Sequence, residues 1–157
     1  MENVTRTKLT RVERTTKTAD FDGATIDRVG YPGSTIICDV QEAGSAGSSL
    51  DASNFWEYKL YHGLEDPATP DTVLASSWAV VPAEQLVHAE AYRATFAETT
   101  TGSFAVIDAA TEDEAVYRVG YIGPRRFLRV RQEATGSPGS TVMTTFHEQF
   151  GGAIPAV

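Results

Sequence analysis

The chain is predicted to be all-β, an antiparallel β-sandwich or jelly-roll-like domain with about eight strands, one short helix and an extended N-terminal arm. Two observations favour this fold class. Short apolar runs alternate with loops rich in Gly, Ser, Pro and Asp, which is typical of sandwiches and jelly rolls. In addition, a six-residue sequence occurs twice with five positions identical, as Arg28-Val29-Gly30-Tyr31-Pro32-Gly33 and Arg118-Val119-Gly120-Tyr121-Ile122-Gly123.

The repeat predicts two related turns, each leading into a strand. Glycine adopts backbone conformations closed to other residues, and tyrosine supplies a rigid apolar ring with one polar end. We therefore expect positive φ at Gly30 and Gly120. We expect the two tyrosines at equivalent ends of the sandwich, with their hydroxyls bonded to backbone. The predicted structural turn residues are Gly30, Tyr31, Gly33, Gly120, Tyr121 and Gly123.

Length and composition indicate one domain with a real core, since the chain has 157 residues and is 41% hydrophobic. No apolar stretch approaches the length of a membrane span and the N-terminus lacks a signal-peptide pattern, so a soluble protein made in the cytoplasm is expected. The single cysteine, Cys38, lies in an apolar run. It is predicted to be a buried structural thiol, and a disulfide within the chain is excluded.

Charge divides the chain into a basic arm, a sandwich domain at residues 19–150 and a flexible tail at residues 151–157. Residues 1–18 carry +3, so the remainder of this −8 chain carries −8 − 3 = −11. The arm is either a frayed terminus or a segment that orders on an acidic partner and can be deleted without unfolding the domain. An acidic body disfavours nucleic acid as partner. The partner-binding cations predicted in the arm are Arg6, Lys8, Arg11, Arg14 and Lys17.

In the first half of the domain, strands are predicted at residues 24–29 and 34–41, followed by a flexible loop at residues 43–49. Residues 54–62 alternate between two faces of a strand. Residues 64–72, which contain two prolines, are predicted to form an exposed loop. The face of residues 54–62 that we assign to the core consists of Trp56, Tyr58, Leu60 and His62.

In the second half, proline followed by good helix formers predicts the short helix over residues 82–88. Residues 89–101 suit either a helix or an extended loop. An acidic turn is expected at residues 109–114 and a tight hairpin at residues 135–139. The further strands are predicted at residues 78–81, 102–108, 115–119, 125–133 and 140–146.

The strand at residues 125–133 places most of its arginines on one face, which favours solvent or a partner there. We therefore predict a partner-facing strand, whose cations are Arg125, Arg126, Arg129 and Arg131.

A search for reactive groups predicts no enzyme, no cofactor and no metal site. The histidines His62, His88 and His147 lack a second ligand at metal spacing. Asp20, Asp22 and Asp27 resemble the start of a calcium loop, but the bidentate acid expected at the twelfth position is absent, since Tyr31 stands there.

Exposed aromatic residues on a sandwich face would suit sugar stacking, and this alternative concerns Trp56, Tyr58 and Trp78. Alternating strand positions favour core packing for these rings, because large aromatics usually fill the space between sheets. Both readings remain open at this point.

The segment Val116-Tyr117-Arg118-Val119-Gly120-Tyr121-Ile122-Gly123, with Arg126-Phe127-Leu128-Arg129-Val130 after it, resembles a family of small structural proteins of tailed bacteriophages and prophages. The likeness extends over roughly residues 20–148. It implies a non-enzymatic β-sandwich of the virion head, and in particular a capsid decoration (cement) protein. The implied partner is the major capsid protein. The resemblance also implies a homo-oligomer on the outside of the shell, and it favours a trimer. A head-spike base or a tail-associated receptor- or glycan-binding module is the alternative.

Overall fold

The computed structural model describes residues 8–17, 19–31, 33–42, 50–88, 102–112, 115–138 and 142–150. Within this part of the chain the protein forms eleven strands, which are arranged in two antiparallel sheets. The strands are β1 (Lys8–Lys17), β2 (Phe21–Asp22), β3 (Ile26–Asp27), β4 (Ser34–Glu42), β5 (Phe55–Gly63), β6 (Ala79–Val80), β7 (Leu86–His88), β8 (Ser103–Ile107), β9 (Val116–Tyr121), β10 (Phe127–Thr135) and β11 (Val142–Phe150).

The strand order is that of a jelly roll. The strand order of the first sheet is β1-β11-β4-β9-β7. In the second sheet, β10 and β5 lie at the centre. β2 and β3 pair with the outer side of β10, and β6 and β8 pair with the outer side of β5. When β2 and β3 are counted as one interrupted strand, and β6 and β7 as additions to the connection before β8, eight strands remain, four in each sheet. The predicted sandwich is thereby confirmed.

The core lies between the sheets and consists of alternate residues of the long strands. On β5, Trp56, Tyr58 and Leu60 are almost completely buried and His62 is 7% exposed, so the predicted inward face is confirmed. On β4, Ile36, Cys38 and Val40 are fully buried. Burial raises the pKa of the Cys38 thiol, as expected for a structural cysteine.

The longest pairing of the second sheet joins β5 to β10 over nine consecutive residue pairs, from Phe127 opposite Gly63 to Thr135 opposite Phe55. Because side chains alternate along both strands, this register places Leu128, Val130 and Gln132 in the interior, and these three residues are buried. Arg129 and Arg131 are only partly exposed and lie on the opposite, outer face.

Two predicted elements differ from the structure. The predicted helix at residues 82–88 is a single 3-10 turn, Ala83–Gln85, followed by β7. Three residues at the edge of a sheet gain more hydrogen bonds by pairing with β9 than an isolated helical turn would supply. The expected hairpin at residues 135–139 is wrong, because β10 and β11 belong to different sheets and this connection crosses the sandwich.

The predicted arm is partly integrated into the first sheet. Lys8–Lys17 form β1, which pairs with β11 over nine residue pairs. Deletion of residues 1–18 would therefore remove a ten-residue strand from the first sheet. Residues 1–7, the loop at 43–49, the ambiguous segment 89–101 and the tail 151–157 lie outside the described residues.

Candidate interaction surfaces

The two copies of the Gly-Tyr repeat meet at one end of the sandwich, and Arg28 of the first copy joins them. Its side chain is buried, with 6% exposed. One terminal nitrogen donates to the carbonyl oxygens of Gly123 at 2.7 Å and Arg125 at 3.1 Å, and the other donates to the carbonyl of Tyr31 at 3.1 Å. The guanidinium also lies 4.7 Å from the centre of the Tyr121 ring. Arg28 and Gly123 are 95 residues apart in the sequence. Arg28 therefore holds the two copies of the repeat against each other.

The Tyr121 hydroxyl is the second polar centre of this end. It accepts a hydrogen bond from the backbone N–H of Arg125 at 3.1 Å and lies 3.0 Å from Nδ1 of His62. Because the oxygen already accepts one bond, its own proton can be donated to a neutral His62. Burial, together with the nearby positive charge of Arg125, lowers the pKa of His62. The predicted bond between the Tyr121 hydroxyl and backbone is confirmed.

The two copies nevertheless have different backbones. Gly30 has φ +81°, as predicted, and lies in the turn before β4. Gly120 is not among the described residues with positive φ, so that part of the prediction is wrong. It lies within β9, where it pairs with Thr35 of β4 and Val87 of β7. Pairing on both sides holds Gly120 in an extended conformation. The second copy of the repeat therefore forms the end of strand β9, whereas a turn before a strand was predicted.

Glycine is required at Gly123 for a different reason. A Cβ atom at this position would collide with the side-chain oxygen of Gln85 and with the hydroxyl and ring of Tyr121. Gly33 is buried, and Tyr31 is half-buried against the core.

Three of the four large apolar side chains that are exposed among the described residues belong to segments at this end, and the fourth, Val116, lies at the start of β9. Val29 is 59% exposed, Ile122 is 50% exposed and Leu64 is 45% exposed. Val29 and Ile122 belong to the two repeat copies, and Leu64 follows the end of β5, which pairs with the start of β10. Exposed apolar residues on neighbouring segments make this end a candidate interaction site.

The predicted partner-facing cations are mostly engaged with acidic groups of the chain itself. Arg126 binds both carboxylate oxygens of Asp27 at 2.6 and 2.7 Å, and binds Glu65 and Asp71 at 2.8 Å each. The guanidinium holds the pKa of Asp27 below its ordinary value. Arg126 thus attaches the loop at residues 64–72, which is exposed as predicted, to the start of β10.

Arg129 and Arg131 belong to a charged row on the outer face of the second sheet. Arg129 pairs with Asp22 at 3.2 Å, and Arg131 pairs with Glu133 at 3.0 Å. Lys59 continues the row, at 2.7 Å from Glu133 and 3.0 Å from Glu57. We call these six residues the charged ladder, and their formal charges sum to zero: Glu57, Lys59, Asp22, Arg129, Arg131 and Glu133.

Arg125 is half-buried. Partner binding by it and by the other three arginines stays a prediction.

The aromatic residues separate into two groups. Trp56 and Tyr58 are 1% and 0% exposed, so they are core residues and cannot stack on a sugar. Trp78 is half-buried, but the Arg129 guanidinium lies 4.4 Å from its ring centre, and the indole packs close to Gly63. A sugar at Trp78 would have to displace Arg129.

The acids that resemble the start of a calcium loop have other partners. Asp22 pairs with Arg129, Asp27 binds Arg126, and Asp20 accepts the backbone N–H of Ala134 at 2.9 Å. Across the described residues, no group of three or more His, Cys, Asp and Glu side chains is arranged to hold a metal ion.

The strand β1 presents a second kind of surface, which is a long strand edge. It has ten residues and occupies one edge of the first sheet, with β11 on its inner side. Lys8, Arg11, Arg14 and Lys17, four of the five predicted arm cations, lie on this strand, and Arg6 is outside the described residues. Glu13 is its only acidic residue, so the strand carries a formal charge of +3.

No protein-family model matches the chain, and no curated protein is significantly similar to it in sequence. The described part of the structure contains no helix of the length and apolarity that a bilayer crossing needs. The strand order defines the class of the fold, an antiparallel jelly roll. Its surfaces are a repeat end with exposed apolar residues, a self-neutralised charged ladder and a basic strand edge.

Proposed function

We propose that this chain is a non-enzymatic structural protein of a phage virion. Its role is that of a capsid decoration protein, which binds the outside of the head through the major capsid protein. The observation that carries the proposal is the position of the basic segment. A strand of charge +3 occupies a sheet edge of a protein whose residues 19–157 carry −11.

Charge separation of this kind favours an ordered assembly. The acidic bodies repel one another in solution, and the basic edge attracts an acidic surface on another protein. A shell offers many such surfaces in a regular array. A protein that binds the assembled shell but not free subunits shifts the equilibrium towards the shell, which makes the particle more stable.

The repeat end supplies a second contact region. Val29, Leu64 and Ile122 are exposed there, and Arg28 and Arg126 attach the surrounding turns firmly to the sandwich. A rigid apolar surface loses little conformational entropy on binding. We assign this end to contacts between copies on the shell, in a trimer, and the basic edge to the capsid protein.

The experiment that tests the proposal is quantitative mass spectrometry of purified phage particles that encode this chain. Decoration predicts a ratio to the major capsid protein between one and a small fraction such as one third. Particles lacking the protein are expected to release their DNA at a lower temperature than complete particles. A few copies per particle would instead support a vertex or tail module that binds a receptor or glycan, and absence from clean particles would overturn the virion role.

A further inference from the structure

The edges of the two sheets differ greatly in length. At the far side of the first sheet, β7 has three residues, while the edges of the second sheet are formed by β2, β3 and β6 with two residues each and β8 with five. β1, in contrast, has ten residues. Long unprotected edges recruit further strands, and proteins therefore usually keep them short or cover them. β1 is the long exception among the described strands.

The composition of β1 is suited to pairing. Its sequence contains no glycine or proline, and four of its ten residues are β-branched residues that are enriched in strands: Thr10, Val12, Thr15 and Thr16. The side opposite β11 carries no strand of the described chain.

Charge selects which strand can be added. Two copies pairing through β1 would bring +3 against +3, and like charges on neighbouring strands are destabilising. The register of β1 with β11 also shifts between Arg11 and Glu13. This shift divides the paired edge into runs of four and five residues, Lys8 to Arg11 and Glu13 to Lys17. Self-association through a long flat edge is thus disfavoured, whereas one short acidic strand is favoured.

We propose that β1 is the docking site for an extended acidic segment of a partner protein, which adds to the first sheet as a new edge strand. Main-chain hydrogen bonds to β1 supply the affinity, and the lysines and arginines of β1 supply the selectivity for acidic sequences. In the setting of the proposed function, the segment belongs to the capsid protein, and to that extent the inference rests on that function.

The test measures amide hydrogen exchange of the full chain with a probe peptide of ten residues that alternates glutamate and valine, at 0.15 M salt. Saturable binding is expected, with exchange slowed about tenfold or more in one or both runs of β1, residues 8–11 and 13–17. A second peptide has the same sequence but is N-methylated at alternate residues, so it retains the charge and loses the hydrogen-bonding edge. It is expected to give no protection of β1.

Charge variants complete the test. Arg11→Glu with Arg14→Glu is expected to weaken peptide binding at least tenfold. Arg14→Glu alone is expected to weaken it less, and Arg118→Glu is the control for that single reversal, because Arg118 is exposed on the interior strand β9. If β1 of the double variant exchanges fast even without peptide, the substitutions have disrupted the strand itself. The milder double variant Arg11→Gln with Arg14→Gln is then used in its place.

The inference is overturned by equal binding of the two peptides, by protection away from β1, or by no protection. These outcomes are independent of the particle composition, so failure of strand addition and failure of the virion role are distinguishable.

Discussion

The two copies of the Gly-Tyr repeat are nearly identical in sequence and different in structure. Gly30 turns the chain at φ +81°, whereas Gly120 is an extended residue in the middle of a sheet. Gly30 has no atom within 4 Å of an added Cβ, and Gly120 has the Cβ atom of Val87 at 3.2 Å. The comparison teaches that neighbouring strands, rather than the local motif, decide the backbone conformation of a glycine.

The largest expected effect concerns the residue that joins the copies. Arg28→Met removes the donors to the carbonyls of Gly123 and Arg125 while it keeps much of the side-chain volume. The contact to Gly123 is buried and that to Arg125 is partly buried. A buried acceptor without a partner costs about 1–3 kcal/mol, so we expect the free energy of unfolding to fall by about 3 kcal/mol. Urea denaturation measures this change. Arg118→Met, at the same position of the second copy, is the control and is expected to be nearly neutral, since Arg118 is exposed.

The next effect belongs to the second copy alone. Gly123→Ala forces Tyr121 or Gln85 to move, and overpacking of this kind costs about 1–3 kcal/mol. Because Tyr121 also contacts His62 and Arg28, we expect a loss in the upper part of that range by thermal denaturation. A neutral result would mean that the ring of Tyr121 moves without cost and that the repeat end is not rigid.

A smaller effect distinguishes the two glycines directly. Gly30→Ala is expected to destabilise the protein by about 1 kcal/mol, because a Cβ atom is disfavoured at positive φ. Gly120→Ala is expected to cost less, about 0.5 kcal/mol, since the backbone is extended and β7 is a short strand that can shift. The reverse order in chemical denaturation would show that contact with Val87 outweighs backbone conformation.

The smallest effect is a dependence on pH. The pKa of His62 is lowered in the folded protein, mainly by burial, so the unfolded chain binds the proton more readily. Stability is therefore complete above the unfolded pKa of about 6.5 and decreases as the pH falls below it. Denaturation at pH 7.5 and 5.5 should show this loss in the wild type and a smaller one in His62→Gln. Equal losses would assign the dependence to other groups.

Much of the fold was predictable from alternation. On residues 54–62 the pattern of polar and apolar side chains assigned Trp56 and Tyr58 to the core, and the structure confirms it. Sequence did not reveal that β1 belongs to the sheet, because its alternating polar and charged residues resemble a solvated terminus. Its partner, β11, lies far away in sequence, and only the closed topology brings the two together.

The candidate surfaces were less predictable. The arginines after residue 124 were recognised as a group, but their carboxylate partners come from distant loops, such as Glu65 and Asp71. Arg28 was missed altogether as a buried residue, since nothing in a single sequence distinguishes an arginine that binds backbone carbonyls from one in solvent. Its place at the start of the repeat was the one available signal.

The position of β11 between β1 and β4 has a consequence for how the chain folds during synthesis. β11 begins 125 positions after β1 ends, as 142 − 17. At about 5–20 residues per second, β1 waits about 6–25 s for its partner to be translated. During that interval the edges of both β1 and β4 are open. β11, the last of the described strands, thus closes the first sheet, and a chain interrupted before residue 142 is expected to aggregate rather than persist as a smaller fold.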